Sequence, residues 1–232
     1  MALPFFSCFF ALIFLKITGM KKIGIIGSGV VAQALGDGFL KHGYDVMLGT
    51  RDAGKLATWK EKNGGKGHVG SFEESAVFGE IVVLAVKGSA AANAIEEAGP
   101  QNLHWKTVID TTNPIADAPP ENGVLKFFTT LEESLLEQLQ TQFPEMHFVK
   151  AFNSVGNAFM VDPAFKEKPT MFICGNNDNS KSQVTAILDQ FGWETEDMGK
   201  ATGARAIEPL CMLWCIPGML RGQWNHAFRL VK

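Results

Sequence analysis

The stretch Lys22-Ile23-Gly24-Ile25-Ile26-Gly27-Ser28-Gly29-Val30-Val31-Ala32 decides how this chain is read. A run of apolar residues ends in Gly27-Ser28-Gly29-Val30-Val31-Ala32, a G-x-G-x-x-A loop. The segment after it carries Val31, Ala34 and Leu35 on the inward face of a helix. In a strand, turn and helix of this kind, Gly27 permits the tight turn, Gly29 lets a pyrophosphate approach the backbone, and Ala32 keeps the helix close to the strand. The first-turn N–H groups and the helix dipole then face phosphate oxygens. The plain alternative is an ordinary strand-to-helix turn that carries glycines; a second strand at the interval of a βαβ unit favours the dinucleotide site.

Outward from this loop, short apolar runs alternate with segments of helical period, the pattern of a doubly wound α/β parallel sheet. Strands are expected at 22–26, 45–49, 81–86, 107–110, 147–150 and 170–174, mostly continuous apolar runs suited to burial on both faces. Helices are expected at 30–42, 53–62, 73–78, 89–98, 131–142 and 179–191. After Gly199 the pattern turns helical: Ile207, Leu210, Cys211 and Trp214 share one face, Pro217 breaks the helix, and Leu220, Trp224, Ala227, Phe228 and Val231 form another face. The expected organisation is a leader at 1–19, a dinucleotide-binding domain at 20–199 and a helical tail at 200–232, too short to close a core alone and so packed on the sheet.

At the end of the second strand an NAD site places a carboxylate against the ribose 2′-hydroxyl. Here the chain reads Leu48-Gly49-Thr50-Arg51-Asp52. Thr50 and Arg51 stand in place of the acid and can donate to a 2′-phosphate, with Lys55 within reach, whereas Asp52 falls late and suits a helix cap. NADP is therefore the expected cofactor. The other reading leaves Arg51 as a solvated charge and lets Asp52 read the ribose.

Composition bounds the rest. With 232 residues, 46% hydrophobic and a net charge of −3, the chain can bury a core and has neither the composition of a disordered protein nor the charge of a nucleic-acid binder. Cys8, Cys174, Cys211 and Cys215 form no C-x-x-C pair and the five histidines no zinc pattern, so no metal site is expected and a reduced, cytoplasmic setting is. From Met1 to Leu15 there is no charge and five residues are Phe. The run lacks the basic start and small-residue cleavage site of a signal peptide and is short for a bilayer span. Three readings stay open: sequence upstream of a true start at Met20, a membrane-interacting leader, or a packed segment. A membrane partner is expected only on the second.

The segment from Lys22 to Asp52, together with Leu84-Ala85-Val86-Lys87, Asp110-Thr111-Thr112-Asn113-Pro114 and Lys150-Ala151-Phe152-Asn153, resembles the family of coenzyme-F420-dependent NADP oxidoreductases. The resemblance implies a Rossmann-type domain with a small helical carboxyl-terminal element, commonly a homodimer, that moves a hydride between NADPH and a second redox molecule. It implies that Ser28, Val30 and Val31 line the pyrophosphate loop and that Thr50 and Arg51 hold the 2′-phosphate. Ala85, Val86 and Lys87 would border the ribose and nicotinamide, and Asn113, Pro114, Ala151, Phe152 and Asn153 would wall the nicotinamide pocket.

Hydride transfer to a flavin-like ring demands alignment above all, so few acid or base residues are expected. Asn113 and Asn153 are the candidates to orient the reactants, with turn chemistry as their alternative. Lys87 either steers charge or is a solvated loop residue. Arg205 and Glu208 read as a surface ion pair at i, i+3, Cys211 and Cys215 as core thiols, Trp193, Trp214 and Trp224 as packing, and His147 as structural. Ser28 is not in G-x-S-x-G, and the loop lacks the Lys-Ser/Thr ending of a P-loop.

The expected function is hydride transfer between NADPH and a small-molecule acceptor such as a deazaflavin or flavin. Three alternatives remain. One is an imine or hydroxy-acid reductase of the pyrroline-carboxylate type, although such enzymes use a long helical domain and only 33 residues follow Gly199 here. Another is a non-catalytic NADP sensor. The last is a domain serving a membrane acceptor through its leader, as in membrane ferric reductases.

Overall fold

Alternation along single strands sets the architecture. In the strand Ile81–Leu84, Ile81 and Val83 belong to one hydrophobic layer and Val82 and Leu84 to the other, so the strand is buried on both faces. A computed structural model describes residues 22–232, and the leader question lies outside the described residues. The strands are β1 (Lys22–Ile26), β2 (Asp45–Gly49), β3 (Gly67–Gly70), β4 (Ile81–Leu84), β5 (Thr107–Asp110), β6 (His147–Lys150), β7 (Thr170–Gly175) and β8 (Glu194–Asp197). They form one sheet in the order β3-β2-β1-β4-β5-β6-β7-β8. Every neighbouring pair is parallel except β6 with β7, so β7 and β8 run against the rest.

The helices are α1 (Val30–Lys41), α2 (Ala57–Lys62), α3 (Phe72–Phe78), α4 (Ala91–Ala98), α5 (Leu135–Gln142), α6 (Asp178–Gln190) and α7 (Ala204–Arg221). Leu35 and Phe39 of α1, Trp59 of α2 and Val184 and Leu188 of α6 pack on one face of the sheet. Ala76 of α3, Ile95 of α4, Leu136 of α5 and Ile207 of α7 pack on the other. The expected α/β doubly wound, Rossmann-type sheet is the fold observed. Capping boxes start α3 (Ser71 with Glu74) and α5 (Ser134 with Glu137).

Several boundaries differ from the sequence reading. The short strands β3 and β8 were not expected. The segments 53–62 and 89–98 begin as 3-10 turns before becoming α2 and α4, and α5 starts at Leu135 rather than 131. The largest correction is at the carboxyl end: α7 runs through both Pro209 and Pro217 and stops at Gly222, which takes the left-handed conformation. Each internal proline costs about 3 kcal/mol. Burial of Ile207, Cys211, Trp214 and Gly218 along one stripe of α7 outweighs that cost. The residues after Gly222 form no second helix. They run back to the sheet, where the Phe228 carbonyl accepts from Thr170 N at 2.9 Å and the Trp214 indole donates to the His226 carbonyl at 2.8 Å.

The expected pairing of Arg205 with Glu208 is also corrected. Arg205 instead reaches Glu137 of α5 through three contacts of 2.7–3.1 Å, and Glu208 turns inward. This Arg205 pairing holds the Glu137 carboxyl down at about 2, against the opposing effect of partial burial and with help from the Ser134 N–H and hydroxyl. A depressed carboxylate contributes stability above its ordinary 4.5 and loses it as pH falls toward 2. Arg205→Met should return the Glu137 titration toward the ordinary range in a carboxyl NMR titration. It should also remove this part of the fall in melting temperature between those two pH values.

Candidate functional site

The chain leaves β1 for β2 and β3, then crosses to β4 on the opposite side of β1, so a crevice opens at the carboxyl ends of β1 and β4. A cavity of about 580 Å³ lies there. It gathers Gly27, Ser28, Gly29, Val30 and Val31 after β1, Thr50, Arg51 and Lys55 after β2, Ala85, Val86 and Lys87 after β4, and Asn113 after β5. It is also lined by Asp52, by Thr111 and Thr112 of the 110–114 segment, and by Phe72, Asn93, Glu97 and Asp117, the last four of which the sequence reading did not single out.

The glycine turn has a measurable reason. Gly27 has φ +145, and a Cβ there would lie 2.2 Å from the Ala85 carbonyl oxygen, so the β1 turn and the end of β4 approach as only glycine allows. Gly27 N donates to Gly49 O at 3.1 Å, tying the turn to β2 as well. At Gly29 a Cβ would meet nothing within 4 Å. No side chain caps α1, whose first turn therefore offers its N–H groups toward the cleft. A pyrophosphate fits a cradle of this kind.

At the end of β2, Thr50 Oγ1 accepts from Asp52 N and donates to Asp52 O, both at 3.1 Å. The Asp52 carboxylate accepts from Gly54 N at 3.0 Å, capping the 3-10 turn Ala53–Leu56. Arg51 is exposed, 3.8 Å from Glu97 and over the ring of Phe72. Lys55 stands at the same mouth of the cleft.

The opposite end is held from behind. Thr111 Oγ1 donates to Leu84 O at 2.9 Å, joining β5 to β4. Asn113 donates to the Asn153 carbonyl at 2.8 Å, and Asn153 donates to Asn113 Oδ1 at 3.2 Å and to Ile207 O of α7 at 3.0 Å. Ala151, Phe152 and Asn153 are almost fully buried, and they and Pro114 do not line the cavity. This corrects the expectation that these four wall it. Phe152, directly before Asn153, has a φ of +62, in the left-handed region. Such a conformation is costly for a bulky residue and is held here by burial and by the contact of its N–H with the Met171 sulfur.

Behind Thr112 lies a group of charges that the sequence reading missed. Lys150 Nζ is 2.6 Å from Asp110 Oδ2, 3.0 Å from Glu208 Oε1 and 2.9 Å from the Thr112 carbonyl oxygen. All three charged side chains are at most 2% exposed. The Asp110 Oδ2 contact is off the hydrogen-bonding direction and is ionic, while Asp110 Oδ1 accepts from Thr112 N and Oγ1. Glu208 accepts from Leu135 N and Leu136 N at the start of α5. Burial pushes the Lys150 ammonium toward deprotonation, but Asp110 and Glu208 overcome it and raise its pKa. The available signal was a lysine and an aspartate closing two strands that are otherwise largely buried.

Residues 22–114 match the family model described as NADP oxidoreductase coenzyme F420-dependent. A putative F420-dependent NADP-reductase from Arthrobacter sp. FB24 superposes with a TM-score of 0.84 at 29% identity, covering 92% of this chain and 100% of that one. Residues 22–114 of this chain, and the sheet as a whole, are thus similar to the F420-dependent NADP oxidoreductase-like family. Among curated proteins, the metalloreductase STEAP3 of Rattus norvegicus is 27% identical over 86% of this chain and 39% of that protein. The F420-dependent NADP reductase of Methanocaldococcus jannaschii is 25% identical over 61% of this chain and 63% of that protein. The chain thus spans about two fifths of the first of these relatives. An imine reductase from Streptomyces aurantiacus, 18% identical with a TM-score of 0.65 over 86% of this chain and 63% of that one, shares the fold. Among the described residues no helix is long and apolar enough to cross a membrane.

The two glycines of this loop should separate in a denaturation experiment. Gly27→Ala should cost about 2 kcal/mol or more, through backbone strain and the clash with Ala85. Gly29→Ala should stay within about 1 kcal/mol of the parent, because its side chain enters open space.

Proposed function

We propose that the cleft binds NADPH and that the chain transfers its hydride to a planar deazaflavin or flavin ring. The observation that carries the reading is the state of Asp52. One of its oxygens is spent on the cap at Gly54, and Arg51 and Lys55 bring two positive charges to the same mouth of the cleft, where an NAD site would set an acid alone. In this reading Ser28, Gly29 and the first turn of α1 take the pyrophosphate, and Arg51 with Lys55 takes the 2′-phosphate, joined by Thr50 when its hydroxyl turns from the Asp52 carbonyl. Ala85, Val86, Lys87 and Asn113 border the nicotinamide. The bound cofactor supplies the hydride; the protein aligns it and excludes water.

A planar ring also accounts for relatives whose names differ. One is called an F420-dependent NADP reductase and another a metalloreductase. A hydride carries two electrons and a metal ion commonly accepts one, so a flavin between them reconciles the two chemistries. The imine-reductase alternative rests on fold likeness alone.

Arg51→Ala should weaken NADPH binding by about 1.5 to 3 kcal/mol and leave NADH nearly unchanged. Titration calorimetry with both cofactors decides this; an equal loss for the two would take Arg51 off the 2′-phosphate. Gly29→Val should fold, as judged by circular dichroism, and lose both cofactors.

A further inference from the structure

The triad Asp110, Lys150 and Glu208 sits behind the cleft and has no part in the chemistry proposed above. Stability is a weak reason for it, because well-packed apolar residues commonly replace a buried ion network without loss. What the triad does specify is the geometry of one residue. Every backbone and side-chain polar group of Thr112 has a partner in it. The N–H and hydroxyl of Thr112 donate to Asp110 at 2.9 and 2.7 Å, and its carbonyl accepts from Lys150 at 2.9 Å. The next residue, Asn113, faces the cleft and is bonded in both directions to Asn153, which α7 holds through Ile207 O. Glu208, one residue further along α7, holds Lys150. Helix α7 therefore reaches the cleft wall by two routes from adjacent residues.

We propose that Lys150 is a positioning residue, which sets the nicotinamide end of the cleft through Thr112 and Asn113, and that α7 is part of the site through Glu208. The inference rests on the NADPH reading. It differs from that reading in predicting that one end of the cofactor depends on the triad and the other does not. The 2′-phosphate end, at Thr50, Arg51 and Lys55, is built from β2 and the turn after it and shares no residue with the triad.

The test uses the full chain and two ligands: NADPH, which spans the cleft, and adenosine 2′,5′-bisphosphate, which reports only the 2′-phosphate end. The main variant replaces the triad by neutral residues of similar size, Asp110→Asn with Lys150→Met and Glu208→Gln, so that no unpaired charge is buried. It should keep its thermal transition, bind adenosine 2′,5′-bisphosphate within about twofold of the parent as an independent site, and lose about ten- to hundredfold in NADPH affinity and turnover through misplacement of the ring. Glu208→Gln alone keeps Lys150 paired with Asp110 and should show the same split, smaller in size. It decides the matter if the triple variant does not fold. Unchanged NADPH binding and turnover in a folded variant, or equal losses for both ligands, would overturn the positioning role. A parent chain that binds neither ligand would overturn the NADPH reading and this inference with it.

Discussion

Three buried charges set the terms for the carboxyl-terminal half of this molecule. An ammonium and two carboxylates taken out of water are tolerable only if each finds partners, and here the partners come from four different elements. Asp110 closes β5, Lys150 closes β6, Glu208 lies in α7, and the free N–H groups that complete Glu208 open α5. None of these elements can shift without stranding a charge. With its pKa raised, the Lys150 ammonium contributes its stabilisation in full below the ordinary 10.5 and loses it only at higher pH, so nothing here titrates near neutrality through Lys150.

The two ends of the cleft consequently work by different physics. At the end of β2, Arg51 is exposed and 3.8 Å from Glu97, so its proposed selection of a 2′-phosphate would come from charge and be sensitive to salt. At the end of β5, polar groups are paired, backbone positions are fixed from behind, and selectivity comes from shape. Between them the glycine turn brings the end of β1 against the Ala85 carbonyl at the end of β4.

How much of this was legible follows from what each residue must satisfy locally. The opening strand, its glycine loop and α1 were plain because burial on both faces forces an unbroken apolar run and the turn demands glycine. Strands β3 and β8 lie at opposite edges of the sheet, and their sequences, Gly67-His68-Val69-Gly70 and Glu194-Thr195-Glu196-Asp197, carry almost no apolar signal. An edge strand is defined by its neighbour's hydrogen bonds and needs little burial of its own. Pro217 signalled a break by local rules, and tertiary packing of Trp214 and Gly218 overrode it. Glu208 misled for a related reason. Three residues from Arg205, it fits a surface pair, yet its spacing from Ala204 and Cys211 puts it on the buried stripe of α7, and only the sheet beyond shows which demand wins. Asn153 reads in sequence as a residue of the wall; the structure buries it behind Asn113, after a left-handed turn at Phe152 that leaves no mark in the sequence.

The neutrality of the cleft wall at Thr111, Thr112 and Asn113 then acquires a structural reason. Among the described residues no histidine or cysteine lines the cleft. Lys87 and Asp117 line the cleft itself, whereas Asp110 and Lys150 are buried behind Thr112, held by each other's charge and by hydrogen bonds to its backbone. The stretch Thr111-Thr112-Asn113 offers a substrate no ionisable group, and its polar groups are fixed from behind. A hydride passing between two stacked rings depends steeply on distance and angle and needs no proton relay, so a stiff neutral wall backed by charge suits that reaction better than a mobile ionisable one.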